Sequence, residues 1–318
     1  MFQYADADYQ PGTLIYHHPE HFYRKAPGIS ASEVKVFANE CPAHYHHRFL
    51  GEPVIRAEST AMVLGSMVHC LVLEPDEFDR RYLAQPTPGE QDLVTVPHLK
   101  AWLKHHNLNQ AGSKSELTER ILQHDPDAPV WSVMKEKRQQ AKQKTVKPDL
   151  MEQARCMADS VLNTPQARWL LGEGEAEVSV WGQHEETGLL LKCRPDWLRK
   201  EICIDLKTCA CSGPRQFGQD FLKFGYELQQ AHYISTLTSA GIEIEVFAFI
   251  AVENEAPYVT QVYLLDNQGI EAAFRRWNTI MNSLAECQTN DSWPGYATGE
   301  TELTLPKWYY QQYAAEIE

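Results

Sequence analysis

LLLKCRPDWLRKEICIDLK, residues 189–207, is the stretch whose reading decides the fold. Ile202, Ile204 and Leu206 alternate with polar neighbours, which is the period of a half-buried strand. Leu189 to Trp197 and Glu201 to Lys207 read as two strands joined by a short turn near Arg199 and Lys200. Such a turn pairs them antiparallel. Residues two apart on a strand face the same side, so Asp205 and Lys207 share a face. The pairing brings Asp196, late in the first strand, beside them. Leu206 points the other way, into the core, with its backbone carbonyl at the same level. Just upstream, Val178 and Val180 alternate in EVSVWGQ, and Glu185 to Gly188 is a turn signal. The three strands together are expected to form a β-meander.

Outward from this centre the period changes to that of helices. Ser30-Ala-Ser-Glu33 is a capping box ahead of Val34, Phe37 and Ala38. An almost wholly apolar helix is expected from about Ser59 to Leu73, and Pro148 opens another that runs to Asn163. After the meander come helices at 214–223 and 226–240, strands at 243–252 and 258–265, and a late amphipathic helix at 267–287. Strands embedded among helices indicate an α/β fold, a mixed sheet flanked by helices. Residues 84–97 read as a linker. Leu99 to His124 then forms a small two-helix unit around a turn at Gly112, too short to bury much core of its own. The expected division is residues 1–83 and 131–318 for the main domain, with 84–130 as a small helical insertion.

Composition narrows the function classes. The 318 residues are 43% hydrophobic and 23% charged, with 29 basic against 43 acidic residues and a net charge of −14. Such a chain is soluble and does not adhere to nucleic acid through its overall charge. No run approaches the ~18 apolar residues of a membrane helix. The N-terminal MFQYADADYQPG has no basic and no apolar region, so no signal peptide is expected and the location is read as cytoplasmic. Eight cysteines in such a context are read as reduced thiols.

The chemistry lies in two carboxylates and a lysine on neighbouring strands. Mg²⁺ is typically held by one or two carboxylates plus substrate phosphate and water. Adjacent carboxylates repel unless a cation or proton lies between them. A lysine beside them can orient or deprotonate a water, or stabilise charge on a transferring phosphoryl group. These parts suit metal-assisted phosphodiester hydrolysis. A lone Asp-x-Lys on a surface strand is common. Here a Pro-Asp precedes it by eight intervening residues, on consecutive strands followed by a helix.

This pattern resembles the PD-(D/E)xK nuclease superfamily, in its RecB-like branch and closest to RecE-type exonuclease VIII of bacteria and prophages. The resemblance covers roughly residues 28–83 and 148–306. It implies a restriction-endonuclease-like fold. It also rests on Gly65-Ser-Met-Val-His69, which is similar to the family's G-x-x-x-H helix, and on Gln229-Gln-Ala-His-Tyr233, similar to its Q-x-x-x-Y motif. By this resemblance His69, Asp196, Asp205 and the Leu206 carbonyl hold Mg²⁺ or Mn²⁺, and Lys207 positions or activates the water. Gln229 and Tyr233, one helical turn apart, hold a phosphate or orient the lysine. Glu177 is a further candidate ligand, and Glu175 shares its strand face. Some relatives carry an iron–sulfur cluster that uses three clustered late cysteines. After Tyr233 only Cys287 remains here, so no iron–sulfur cluster is expected.

The insertion resembles a SAP motif, a small DNA-binding helical unit. Lys100, Lys104, Lys114 and Arg120 are its candidate phosphate contacts. Lys135 to Lys147 holds six basic residues and one acidic one, and adds Lys135, Lys137 and Arg138 as candidates. A solvated helix face is the alternative for that run.

The resemblance implies a 5′-3′ exonuclease on linear double-stranded DNA ends, leaving 3′ single strands for recombination. It also implies a ring-shaped homo-oligomer and a single-strand annealing protein as partner. An endonuclease, a single-strand or flap nuclease on the same core, and a non-catalytic SAP-type DNA-binding protein are the alternatives.

Overall fold

The two-residue period between Val178 and Lys207 does produce strands, but the chain divides them between two sheets. The computed structural model describes residues 8–51, 58–134, 143–296 and 299–313. In chain order its strands are β1 Leu14–Ile15, β2 Tyr82–Ala84, β3 Lys144–Val146, β4 Glu175–Ala176, β5 Ser179–Gln183, β6 Leu190–Cys193, β7 Trp197–Arg199, β8 Glu201–Cys209, β9 Ile244–Glu253 and β10 Thr260–Tyr263. The helices that matter below are α1 Ala31–Asn39, α2 Thr60–Leu73, α3 Val96–His105, α4 Lys114–His124, α5 Pro148–Asn163, α6 Pro214–Lys223, α7 Tyr226–Ser239 and α8 Asn267–Asn290. This is a mixed α/β fold with helices flanking the sheet. Among the described residues no helix is long and apolar enough to cross a membrane.

Two compact units form. The first comprises Met1–Ala57, Gln166–Ala251 and Gln261–Glu318, and the second Glu58–Pro165 with Val252–Thr260. In the first unit one sheet has the order β1-β5-β6 and the other β10-β9-β8-β7-β4. The expected strand from Leu189 to Trp197 is in fact two. β6 pairs antiparallel with β5, Val180 lying opposite Cys193. β7 pairs antiparallel with β8, Trp197 lying opposite Ile204. Between them runs Arg194-Pro195-Asp196. Proline has no N–H to continue a ladder, which is a physical reason for the break. A matching switch occurs at Glu177, whose φ of +54° is left-handed. It takes the chain from β4, which pairs with β7, to β5, which pairs with β6. The expected continuous meander is thereby corrected to two sheets that exchange strands at one level.

Two apolar clusters hold this unit. Val34 and Phe37 of α1, Leu228 and Ala231 of α7, and Trp277, Met281 and Leu284 of α8 pack with Leu191. Phe217 and Phe221 of α6 pack with Cys203, Phe247 and Phe249 of the larger sheet. The Ser30–Glu33 capping box forms as expected at the start of α1. β5 approaches α7 so closely that a Cβ on Gly182 would lie 2.5 Å from the Thr236 carbonyl oxygen.

In the second unit α2 packs on α5, and β2 pairs in parallel with β3. The helical hairpin of α3 and α4 closes a small core of its own, contrary to the expectation from its length. Leu99, Leu103, Leu117 and Ile121 are fully buried there, with Leu93, Ala128 and Val130. The segment read as a linker supplies Leu93 to that core and Thr95 as the N-cap of α3. Gly112, at φ +127°, makes the turn before the Ser113–Glu116 capping box of α4.

Candidate active site

The β7–β8 register places Asp196, the residue before β7, at the level of Asp205 on β8. Asp196 is thus in the irregular crossing between sheets and not late in a strand, which corrects the sequence reading. Its Oδ2 accepts a hydrogen bond from the Leu206 backbone N–H at 2.6 Å. The carboxylate therefore binds the strand's amide just past the point where β7 stops pairing. Asp205 is 1% exposed in the middle of β8. Burial raises its carboxyl above the ordinary range, the Lys207 charge opposes that rise, and the Asp196 charge adds to it.

Lys207 lies two residues along the same strand face and forms an ion pair with Asp205 Oδ1. Its ammonium also donates to Gln229 Oε1 at 3.2 Å and lies 4.6 Å over the Tyr226 ring. Burial works to lower the Lys207 pKa, but the charges of Asp205 and Asp196 outweigh it and hold the lysine protonated. Gln229 on α7 spans the pair, since its Nε2 donates to Asp205 Oδ2 while its oxygen accepts from Lys207. A second ammonium, Lys35 on α1, donates to the same Gln229 oxygen at 2.7 Å. Lys35 is pulled down to about 7, chiefly by burial and then by the Lys207 charge. Sequence reasoning missed Lys35, and no signal in its helix marks it.

Glu177 sits at the other sheet switch. Its backbone N–H donates to the Asp196 carbonyl at 3.2 Å, and its carboxylate is 2.5 Å from Arg194 Nε. A carboxylate oxygen of Glu177 and one of Asp196 lie within 4.8 Å of each other. Glu175, by contrast, is exposed on the two-residue β4. Tyr233 is one turn beyond Gln229, and its hydroxyl donates to the Arg194 carbonyl at 3.2 Å. It therefore braces the Arg194–Asp196 crossing.

A divalent cation fits this donor set. Glu177, Asp196 and Asp205 offer hard oxygens, and the mutual repulsion of Asp196 and Asp205 is what a cation between them would relieve. Residues 30–304 match the family described as a PDDEXK-like domain of unknown function, DUF3799. The chain belongs to this family. Its core is that of the PD-(D/E)xK nuclease superfamily. A crystal structure from Eubacterium rectale, of a protein named provisionally as an exonuclease, shares the fold. It has a TM-score of 0.57 at 14% identity, over 94% of this chain and 99% of that one. A second solved structure, SSO0001, has a TM-score of only 0.25 at 11% identity, over 72% of this chain and 88% of its own. No curated protein matches the sequence.

Within this PDDEXK-like core the first unit brings together Asp196, Asp205, Lys207, Gln229 and Glu177. His69 stands partly buried on α2 of the second unit. In the insertion, Lys100 and Lys104 are exposed on α3. Lys114 donates to the Val94 carbonyl at 3.0 Å, and Arg120 donates to the carbonyls of Asn109 at 2.7 Å and Ala111 at 3.0 Å. Arg120 thus holds the hairpin turn, and Lys114 ties the start of α4 to the segment ahead of α3. Lys135, Lys137 and Arg138 lie outside the described residues.

Proposed function

We propose that this chain is a divalent-metal-dependent deoxyribonuclease that acts exonucleolytically on linear duplex DNA. The observation that carries the reading is the set of Asp196, Asp205 and Lys207 converging beside the end of β7, with Gln229 clasping the last two. Polarity from 5′ to 3′, with 3′ strands left for recombination, is supported by the RecE-type resemblance alone. The provisional name of the Eubacterium rectale protein agrees with the exonucleolytic part.

In this reading Asp196 and Asp205, with Glu177 and the Leu206 carbonyl, hold Mg²⁺ or Mn²⁺. His69 is proposed as a nitrogen ligand on the strength of the Gly65-x-x-x-His69 resemblance. Bound there, the cation polarises the phosphoryl oxygens and lowers the pKa of a water. Lys207 holds its ammonium toward the reacting phosphate, where negative charge develops in the transition state. Gln229 fixes that ammonium by accepting from it, and fixes Asp205 by donating to it. Arg194 holds Glu177 through their ion pair, and Tyr233 holds the Arg194 carbonyl so that Asp196 keeps its place. Exposed Lys100 and Lys104 are proposed to contact DNA phosphates from the insertion.

The test uses linear duplex DNA labelled at the 5′ or the 3′ end, beside a closed circle, with Mg²⁺ or EDTA. Wild type and Lys207→Ala are compared. Early release of the 5′ label, with the circle intact and cleavage lost in EDTA and in the variant, is the expected result. Nicking of the circle would replace the exonuclease by an endonuclease. DNA retained but never cut would leave a binding module.

A further inference from the structure

We infer that Lys35 is a positioning residue for Lys207, acting through the shared Gln229 amide. The inference rests on the nuclease reading and deepens it. Lys35 lies on α1, next to the buried Val34 and one turn from the Ser30–Glu33 cap that anchors the helix. Among the described residues its ammonium makes no ion pair. Its polar partner is Gln229 Oε1, 194 residues away in sequence, and its other contact is the Tyr226 ring at 5.3 Å. Lys207 uses the same oxygen and the same ring.

Placing two ammonium groups on one neutral oxygen is costly, and a lysine that only needed neutralising would sit on a carboxylate. The cost is visible in Lys35 itself, which burial and the neighbouring Lys207 bring down to about 7. The arrangement does something for the amide, however. An amide flanked by two cations at one end and a carboxylate at the other has only one favourable orientation, oxygen to the lysines and NH₂ to Asp205. Lys35 is the nearer of the two donors, 2.7 Å against 3.2 Å. It draws the Gln229 oxygen from the α1 side and sets where Lys207 can find its acceptor. Lys207 then spans two acceptors, this oxygen and Asp205 Oδ1. The capped, core-packed α1 is in this way joined to the reacting end of β8.

The experiment compares wild type, Lys35→Met, Lys35→Arg, Gln229→Leu and the Lys35→Met/Gln229→Leu double variant of the full chain. Steady-state cleavage of linear duplex DNA with Mg²⁺ gives kcat and KM separately. Side-chain NMR of ¹⁵N-lysine protein follows the Lys207 ammonium, assigned by its loss in Lys207→Ala. Misplacing a catalytic group by about 1 Å can cost about 100-fold in rate, and a smaller shift costs less. Lys35→Met should accordingly lower kcat by about tenfold with KM unchanged, and Lys35→Arg should recover part of it. In the Gln229→Leu background Lys35→Met should add less than about twofold, because the link is already cut. The Lys207 resonance should move in Lys35→Met. A loss confined to KM would make Lys35 a DNA contact and overturn the inference. So would a full additive loss in the Gln229→Leu background, or an unmoved Lys207 resonance in a folded variant. If Lys35→Met fails to fold, Lys35→Gln, which is polar but too short to hold the shared oxygen in place, is read against the same expectations. Wild type that cuts no DNA would sink the nuclease reading, and the resonance would still decide the coupling between the two lysines.

Discussion

Replacing Lys207 by methionine takes away the cation that faces Asp205 and keeps most of the side-chain volume. Asp205 is 1% exposed, and the Lys207 charge is the main influence holding its carboxyl down against burial. Removing one partner of a buried pair costs about 3–5 kcal/mol. Gln229 still donates to Asp205 Oδ2, and the carboxyl can take up a proton, so the lower end applies, about 3 kcal/mol at pH 7.5. The proton uptake fixes the sign of the pH dependence. In the folded variant the carboxyl titrates above its unfolded value of about 3.9. The stability this contributes is present below that unfolded value and is lost as pH rises toward the folded one. The slope is at most about 1.4 kcal/mol per pH unit. Between pH 5.5 and 7.5 the deficit relative to wild type therefore grows, by up to about 2.7 kcal/mol. Urea unfolding in EDTA at the two pH values measures it, with the comparison made in a Lys35→Met background because Lys207 also holds the Lys35 pKa down and Lys35 would otherwise titrate in the same window. A deficit equal at both pH values to within about 0.5 kcal/mol would refute the claim that Lys207 balances a buried Asp205 charge.

Asp205→Asn should cut DNA cleavage at least about 100-fold while far-UV circular dichroism stays that of a folded protein. Preserved activity would remove Asp205 from the reaction. Raising Mg²⁺ to tenfold its dissociation constant should stabilise wild type by about 1.4 kcal/mol, read as a higher Tm, and should leave Asp196→Asn/Asp205→Asn unmoved. Gly182→Ala should destabilise by about 1–3 kcal/mol, because its methyl group meets the Thr236 carbonyl, and an unchanged Tm would mean that β5 and α7 are not held so closely. Lys100→Glu/Lys104→Glu should flatten the salt dependence of DNA retention by about two units of log–log slope, and an unchanged slope would take the insertion off the DNA.

Much of this site could be read from one strand pair. Once β7 and β8 are antiparallel across a short turn, the spacing between Asp196 and Asp205 leaves them side by side, and strand periodicity then puts Lys207 on the same face. Local rules also sufficed for the start of α1 and the hairpin turn, because Ser30–Glu33 and Gly112 carry their cap and turn in adjacent residues. The sheet exchange was not legible in that way. Leu189 to Trp197 reads as one strand despite Pro195, and even a break at the proline would not say which strand the chain joins next. That choice is made by β4 pairing with β7 and β5 with β6, partners whose alternation looks the same from sequence.

Lys35 and Tyr233 show the remaining gap from opposite sides. Tyr233 stood in a recognisable spacing with Gln229, and the spacing correctly put both on one face of α7. It did not say which group each would meet, and the tyrosine hydroxyl bonds the Arg194 carbonyl. Lys35 had no spacing at all to mark it. Position 35 borders the Val34–Phe37 face, where a lysine commonly lays its stem on apolar surface and sends its charge to water. What turns it inward is the oxygen of a glutamine that reaches it only after α7 has packed against α1. A contact of that kind depends on the assembled core. Its partners, two lysines and one amide, also fit no spacing, because they come from α1, β8 and α7 and meet only across the packed core.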